Sequence, residues 1–357
     1  MTPLSENIGS IGEFGLIEMI GRKSENRAGV VTGIGDDSAV TEITPGMQLL
    51  SSTDMLIENI HFRLAWHDPY LLGRKSLAAS ISDIAAMGGI PRWALLSMAL
   101  PAEVDLDFFE AFIGGFLDMA SEHGVSLTGG DTSASPDGVA VSVTMMGEQF
   151  PERIIRRSGA RVGDEIWVTG TPGDAAMGLR ILESRIPGGN DSSTGMMPDS
   201  GERENSAGYL VSRLLNPVPR VAAALSLADA RIASAMTDIS DGLIADFGHI
   251  AEMSAIGGEI CIDSLPVSDS FLLFAGERNN NGDDLRLSGG EDYELCFTAS
   301  PDDHERVVAC MENCGVKASA VGLVTGSRSV KIVKRDGSEF VPDFAGFNHF
   351  IKLERNS

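Results

Sequence analysis

Apolar positions recur along this chain at two spacings, helical and alternating, and their succession lays out its elements. Residues 12–22 repeat at helical spacing, with Phe14, Ile17 and Ile20 expected to face inward. Met47-Gln48-Leu49-Leu50 reads as a strand that rises from a turn at Pro45-Gly46 and ends in the polar run Ser51-Ser52-Thr53-Asp54. Residues 70–87 predict a helix stopped by Gly88-Gly89. Leu77, Ile81, Ile84 and Ala85 share one of its faces, and Ser76, Ser80 and Asp83 share another. A strand at 93–100 and a helix at 109–120 follow, the latter with a core-facing stripe. Residues 125–132 read as a short strand running into a glycine turn with Asp131 at its tip, and 138–147 alternates as a strand that closes the first half.

The second half begins with a strand at 165–168. It leads through Thr169-Gly170-Thr171-Pro172-Gly173-Asp174 into a helix from Ala175. Such a turn can offer backbone N–H groups to phosphate, although no Gly-Lys-Ser/Thr ends it. Residues 187–208, rich in Gly, Ser, Asn and Asp, read as a mobile surface insertion. Thr237-Asp238-Ile239-Ser240-Asp241-Gly242 is expected to open a helix with Leu243, Phe247, Ile250 and Ala251 inward. Asp238 and Asp241 are there either ordinary caps or ligands. Residues 279–284 form a polar loop, and Ser288-Gly289-Gly290-Glu291-Asp292 precedes a strand at 295–298.

A length of 357 residues suits two domains, drawn here as 1–150 and 151–357. No apolar run reaches the roughly 18 residues of a membrane span, and the N-terminus does not read as a signal peptide, so a cytoplasmic protein is expected. The net charge of −24 argues against nucleic acid, and it requires local cations wherever phosphate binds. Cys261, Cys296, Cys310 and Cys314 are the only cysteines. The last two read as core packing rather than zinc ligands.

The acidic residues are what direct the chemistry. Asp36-Asp37 sits in a glycine-rich loop, where a lone pair is ordinarily a solvated turn. Ser52-Thr53-Asp54, Asp83 on a nearly uncharged helix, and Asp131 add hard oxygen donors of the kind Mg²⁺ accepts.

Taken together, 33–37, 52–54 with His61 and Phe62, 82–89, 129–132, 157–159 with 163–164, 169–174, 238–243, 288–295 and 346–350 resemble the thiamine-monophosphate kinase family. That family lies in the superfamily of aminoimidazole ribonucleotide synthetase and selenophosphate synthetase. The resemblance implies an α/β (α+β) two-domain aminoimidazole ribonucleotide synthetase-like fold whose N-terminal sheet forms a homodimer. It implies direct in-line transfer of the ATP γ-phosphoryl group to thiamine monophosphate with several Mg²⁺ ions. By resemblance, the metal ligands fall on Asp37, Ser52, Thr53, Asp54, Asp83, Asp131 and Asp238, with Asp241 on a further ion. Asp37, Asp83, Asp131 and Asp238 carry the catalysis. Gly130, Asp131, Arg157 and Ser240 meet ATP, and His61, Glu291 and Phe347 meet the thiamine phosphate. The N-terminal domain then holds the metal-ATP site and the dimer interface, and the C-terminal domain supplies substrate and nucleotide contacts.

The chain departs from the family at Ser38, where a small apolar residue or Cys is common, at Phe347, where Trp is frequent, and in the long stretch at 187–208. Selenophosphate synthetase is the nearest rival, but no cysteine precedes Cys261 to supply its reactive thiol. A non-catalytic metal-nucleotide sensor is the alternative from another class.

Overall fold

The computed structural model describes residues 7–185, 201–275, 282–342 and Gly346. Two compact units divide the chain between Ile154 and Ile155.

The first unit opens with α1 (Ile8–Lys23) and a ribbon of β1 (Val30–Thr32) and β2 (Val40–Thr41). It continues with β3 (Gln48–Ile57), α2 (Pro69–Ala86), β4 (Ile90–Leu100), α3 (Leu106–Glu122), β5 (Ser126–Ala134) and β6 (Ala140–Gln149). The last four strands named form a sheet in the order β3-β6-β4-β5, parallel between β4 and β5 and antiparallel elsewhere. Val141, Val143 and Met145 of β6 alternate into the core, where α2 covers the sheet and packs on α3. The two helices cross closely. A Cβ at Gly73 would lie 2.0 Å from the Phe112 carbonyl oxygen, and one at Gly115 would lie 1.8 Å from that of Tyr70.

Three expectations are corrected here. The strand expected to end in Ser51-Ser52-Thr53-Asp54 runs on to Ile57, so Ser52-Thr53-Asp54 sits in its middle and alternates between faces. Gly129-Gly130-Asp131 does not turn but continues β5, with one extra residue bulged out opposite Ala94 and Leu95. Phe14 is 84% exposed, while Ile8, Leu16 and Ile20 face inward, because the buried face of α1 runs through Leu16 and Ile20, four residues apart, and leaves position 14 on the far side.

The second unit holds β7 (Glu165–Thr169), α4 (Asp174–Ser184), α5 (Gly201–Leu215), α6 (Val221–Ala230), β8 (Ala233–Ile239) and α7 (Leu243–Ser254). After them come β9 (Gly257–Cys261), α8 (Asp269–Ala275), α9 (Asp283–Ser288), β10 (Glu294–Ala299) and α10 (His304–Asn313). The unit ends in β11 (Ala318–Thr325), β12 (Val330–Val333) and β13 (Glu339–Phe340). Its sheet runs β13-β12-β9-β11-β7-β10-β8, with β12 and β9 parallel. Phe247 and Ile250 of α7 pack with Ile166, Val168, Ile239 and Cys296 in the main core. β10 is buried at every position, Glu294 included.

Residues 201–208, expected to belong to a mobile insertion, form the first turns of α5. Ala207 is buried there with Met177, Ile181 and Leu210, an apolar anchor that the polar composition masks. Residues 187–200 lie outside the described residues. Asp238, expected at a helix start, belongs to β8. Residues 283–288, partly expected as loop, form α9. All four cysteines are free thiols, and burial pushes that of Cys296 up. Among the described residues no helix is long and apolar enough to cross a membrane.

Candidate functional site

In the first unit, strand alternation and helix periodicity converge on one pair of carboxylates. Leu50, Ser52, Asp54 and Leu56 point from β3 toward α2, while Leu49, Ser51, Thr53 and Met55 point to the open face. Ser80 and Asp83 stand three residues apart on α2 and so share a face. Ser80 Oγ donates to Asp54 Oδ2 at 2.6 Å, and Ser52 Oγ donates to Asp83 Oδ2 in a short hydrogen bond. Burial, and then the charge of Asp83, push the Asp54 carboxyl up to about 6, against the pull of Ser80. A carboxylate that titrates near neutrality beside a second one is a place where a cation is favoured.

The other residues expected in this half lie elsewhere. Thr53 stands on the opposite face of the sheet, with its hydroxyl 3.2 Å from that of Thr144. Asp37 is exposed in the loop after β1, its N–H donating to Asp36 Oδ1 at 2.9 Å. Gly130 and Asp131 lie on the edge strand β5, opposite Leu96 and Ser97. With β3 at the other edge, they are three strand spacings from Asp54, roughly 14 Å. Among the described residues, no three His, Cys, Asp or Glu side chains gather tightly enough to hold a metal ion. His61 follows β3, and its Nδ1 accepts the Ile57 N–H at 3.0 Å. That bond fixes the neutral ring with its proton on Nε2.

The second unit assembles its candidates where β8 and β10 meet. Asp238, buried in β8, is paired with Leu295, and the next residues turn into α7. Asp246, on the first turn of α7, reaches back. Its Oδ2 accepts the N–H groups of Ser240, Asp241 and Gly242 at 3.0, 3.1 and 3.0 Å. Burial, and then the charge of Asp241, push this carboxyl up to about 7. The Glu291 N–H donates to the Ser240 carbonyl at 2.8 Å, which brings Glu291 alongside. A Cβ at Gly290 would lie 2.3 Å from that same carbonyl oxygen, so the approach requires glycine. Arg157, exposed, donates through Nε to Thr237 Oγ1 at 3.2 Å. Gly346 also lies against this turn, within 3.1 Å of the Asp241 carbonyl for an added Cβ. Phe347 lies outside the described residues.

The glycine-rich turn before α4 corrects the phosphate expectation. The Gly173 and Ala175 N–H groups donate to Asp292 Oδ2 and Oδ1 at 2.7 and 3.1 Å. The protein's own carboxylate occupies the place proposed for an anion. Asp246 and Asp292 carry no periodic signal, and only an acidic residue in the first turn of α7 hinted at the former.

Residues 35–149 match AIR synthase related protein, N-terminal domain, and residues 161–335 match the C-terminal domain of the same description. Thiamine-monophosphate kinase from Salmonella typhimurium is 38% identical over 342 residues, which cover 95% of this chain and 98% of the relative. The chain belongs to the thiamine-monophosphate kinase family. The solved thiamine-monophosphate kinase of Stenotrophomonas maltophilia K279a superposes with a TM-score of 0.78 at 36% identity, over 91% of this chain and 96% of its own. A structure described as AaThiL complexed with AMPPCP and TMP superposes at 0.72 with 31% identity, over 97% and 100%. The mixed α/β architecture of the two units is therefore that of these kinases.

Proposed function

We propose that the chain transfers the γ-phosphoryl group of ATP directly to thiamine monophosphate, giving thiamine diphosphate. What carries this is its near full-length likeness to a kinase relative complexed with AMPPCP and TMP. As a consumer of ATP it works in the cytoplasm. Residues 1–150 serve as the metal-ATP and dimer domain, and 151–357 as the domain of substrate and nucleotide contacts.

The donor set fits Mg²⁺: Asp54, Asp83, Ser52 and Ser80 offer hard oxygens, and the clash of two carboxylates is relieved by a cation. Asp37, Thr53, Asp131, Asp238 and Asp241 complete the proposed ligands. Bound there, several Mg²⁺ ions would neutralise phosphate charge, the main need of phosphoryl transfer. Arg157 grips an ATP phosphate with its fork of donors, and Gly130 and Ser240 orient the nucleotide. The His61 Nε2–H donates to the acceptor phosphate. Glu291 and Phe347 hold the thiamine, the aromatic ring facing the cationic thiazolium.

The acceptor phosphate has a second pKa of about 6, so near pH 7 it is already a dianion and needs no base. Its oxygen forms a bond to the γ-phosphorus as the bond to the β,γ-bridging oxygen breaks, and ADP leaves with that electron pair. No phosphoenzyme intervenes. Incubation with ATP, Mg²⁺ and thiamine monophosphate should therefore yield thiamine diphosphate, with inversion at a chiral γ-phosphorus. Protein labelled by γ-labelled ATP alone would refute direct transfer. His61→Asn is expected to raise KM for thiamine monophosphate by about tenfold and KM for ATP far less, without a steep pH dependence. Equal effects on both would remove His61 from the acceptor site.

A homodimer accounts for the distance of Asp131. In one chain β3 and β5 are open edges, and open edges seek partners. Pairing the β3 edge of one copy with the β5 edge of another would bring the strand of Asp131 beside that of Asp54 across the interface. Mixing inactive Asp54→Asn and Asp131→Asn proteins, with subunit exchange, should then restore about a quarter of the activity, since half the dimers carry one intact site of two. Activity that stays absent after demonstrated exchange would place both residues in sites built from a single chain.

A further inference from the structure

We propose that Asp292 is the positioning residue of the acceptor-binding loop: its carboxylate, docked on the first turn of α4, sets the backbone that presents Glu291. This rests on the assignment of Glu291 to the acceptor made above. Asp292 is fully buried, and each of its oxygens takes one N–H, from Gly173 and from Ala175. Arg213 adds a contact to its main-chain oxygen at 3.4 Å.

The residues on either side are held in a conformation that side chains rarely adopt, Glu291 at φ 67° and Tyr293 at φ 50°. Backbone held this way persists only where its surroundings over-determine it, and it gathers at functional sites. Here the surroundings are identifiable. Glu291 and Tyr293 donate their N–H groups to the Ser240 and Ile239 carbonyls on one side, while the Asp292 side chain plugs α4 on the other. The loop is clamped between β8 and α4, and Glu291 stands at its crest beside Ser240. The glycine-rich turn at 169–174 is thus a socket for this carboxylate.

A double-mutant cycle on the full-length enzyme tests the inference. In Asp292→Asn the amide nitrogen meets one of the two N–H donors head-on, so the dock is broken with little change of volume. Alone, it is expected to raise KM for thiamine monophosphate by roughly ten- to a hundredfold, with KM for ATP nearly unchanged. Glu291→Ala alone should do the same, and the double variant should be no worse than Glu291→Ala. A merely structural role would instead give effects that multiply and that touch both substrates, and it would overturn the proposal. So would a normal KM for the acceptor in Asp292→Asn while Glu291→Ala is impaired. A normal KM in Glu291→Ala overturns the assignment of Glu291 and this inference with it. Should Asp292→Asn not fold, hydrogen exchange on the wild-type enzyme decides. The Gly173 and Ala175 amides should gain protection when thiamine monophosphate binds and not with AMPPCP alone, and equal protection in every state refutes the dock.

Discussion

Asp83→Asn is expected to lower kcat by roughly a thousandfold while the metal-free protein becomes slightly more stable. The two effects share one cause. Asp83 and Asp54 are held close by Ser52 and Ser80, and the charge of Asp83 is one reason the Asp54 carboxyl is pushed up to about 6 from its ordinary 3.8. A group whose folded-state pKa is raised contributes stability that is fully present below pH 3.8 and is lost as pH rises through 6. The metal-free wild type should therefore lose stability between pH 4 and 7 through this pair. Neutralising Asp83 should remove part of that loss, on the order of 1 kcal/mol, or about 2 °C in Tm. In the working enzyme the same charge is what a cation needs, so the relief comes at the expense of catalysis. Melting curves in chelator across that pH range, with turnover at saturating Mg²⁺, measure both. Near-wild-type turnover would remove Asp83 from the metal site.

The helix that carries Ser80 and Asp83 was legible in the sequence because its apolar face repeats without interruption. The strand opposite was less so. Ser51-Ser52-Thr53-Asp54 looks like a strand's end, since four polar residues in a row seldom continue one. Here an edge strand with an open face accepts Ser51 and Thr53 outward, while Ser52 and Asp54 turn inward to meet α2. Gly129-Gly130 misleads for a related reason: the same glycines that mark a turn also let a strand lie close to its neighbour, and a Cβ at Gly130 would lie 1.8 Å from the Leu96 carbonyl oxygen. Phe14 was misplaced because apolar residues lie on more than one side of α1, and the face that is buried runs through Leu16 and Ile20. Asp246 and Asp292 were illegible in principle. Each acts on backbone N–H groups whose convergence exists only after folding, three of them for Asp246 and two for Asp292. The acidic residues that bind and those that hold the loops in place are the same residue types, and the sequence does not separate them.

Glu294→Gln is expected to cost about 3–5 kcal/mol of stability, the largest structural effect of any single change considered. Glu294 is fully buried at the start of β10 and receives two guanidinium groups. Arg220 donates through Nε at 2.7 Å and through Nη2 at 2.5 Å, and Arg213 through Nη2 at 2.7 Å. Thr169 Oγ1 donates at 2.6 Å as well. Burial alone would raise this carboxyl. The hydrogen bonds and charge of Arg220, then the charge of Arg213, outweigh it and hold it below the ordinary 4.5. The sign follows from that depression: the contribution is present above pH 4.5 and is lost as pH falls through the lower folded-state value. Gln keeps the shape but leaves two largely buried cations facing an amide, and its nitrogen opposes one of them. Urea unfolding at pH 7 should show the full difference from wild type, and at pH 4 the gap should begin to close. Arg220→Met should cost less, because Arg213 still neutralises the carboxylate and the methionine fills the volume. A Glu294→Gln protein within 1 kcal/mol of wild type at pH 7 would show that the ion cluster is dispensable. The clamp that holds Glu291 would then depend on the Asp292 dock and on the Glu291 and Tyr293 N–H bonds to the Ser240 and Ile239 carbonyls, since residues 291–294 are one continuous segment with two buried carboxylates.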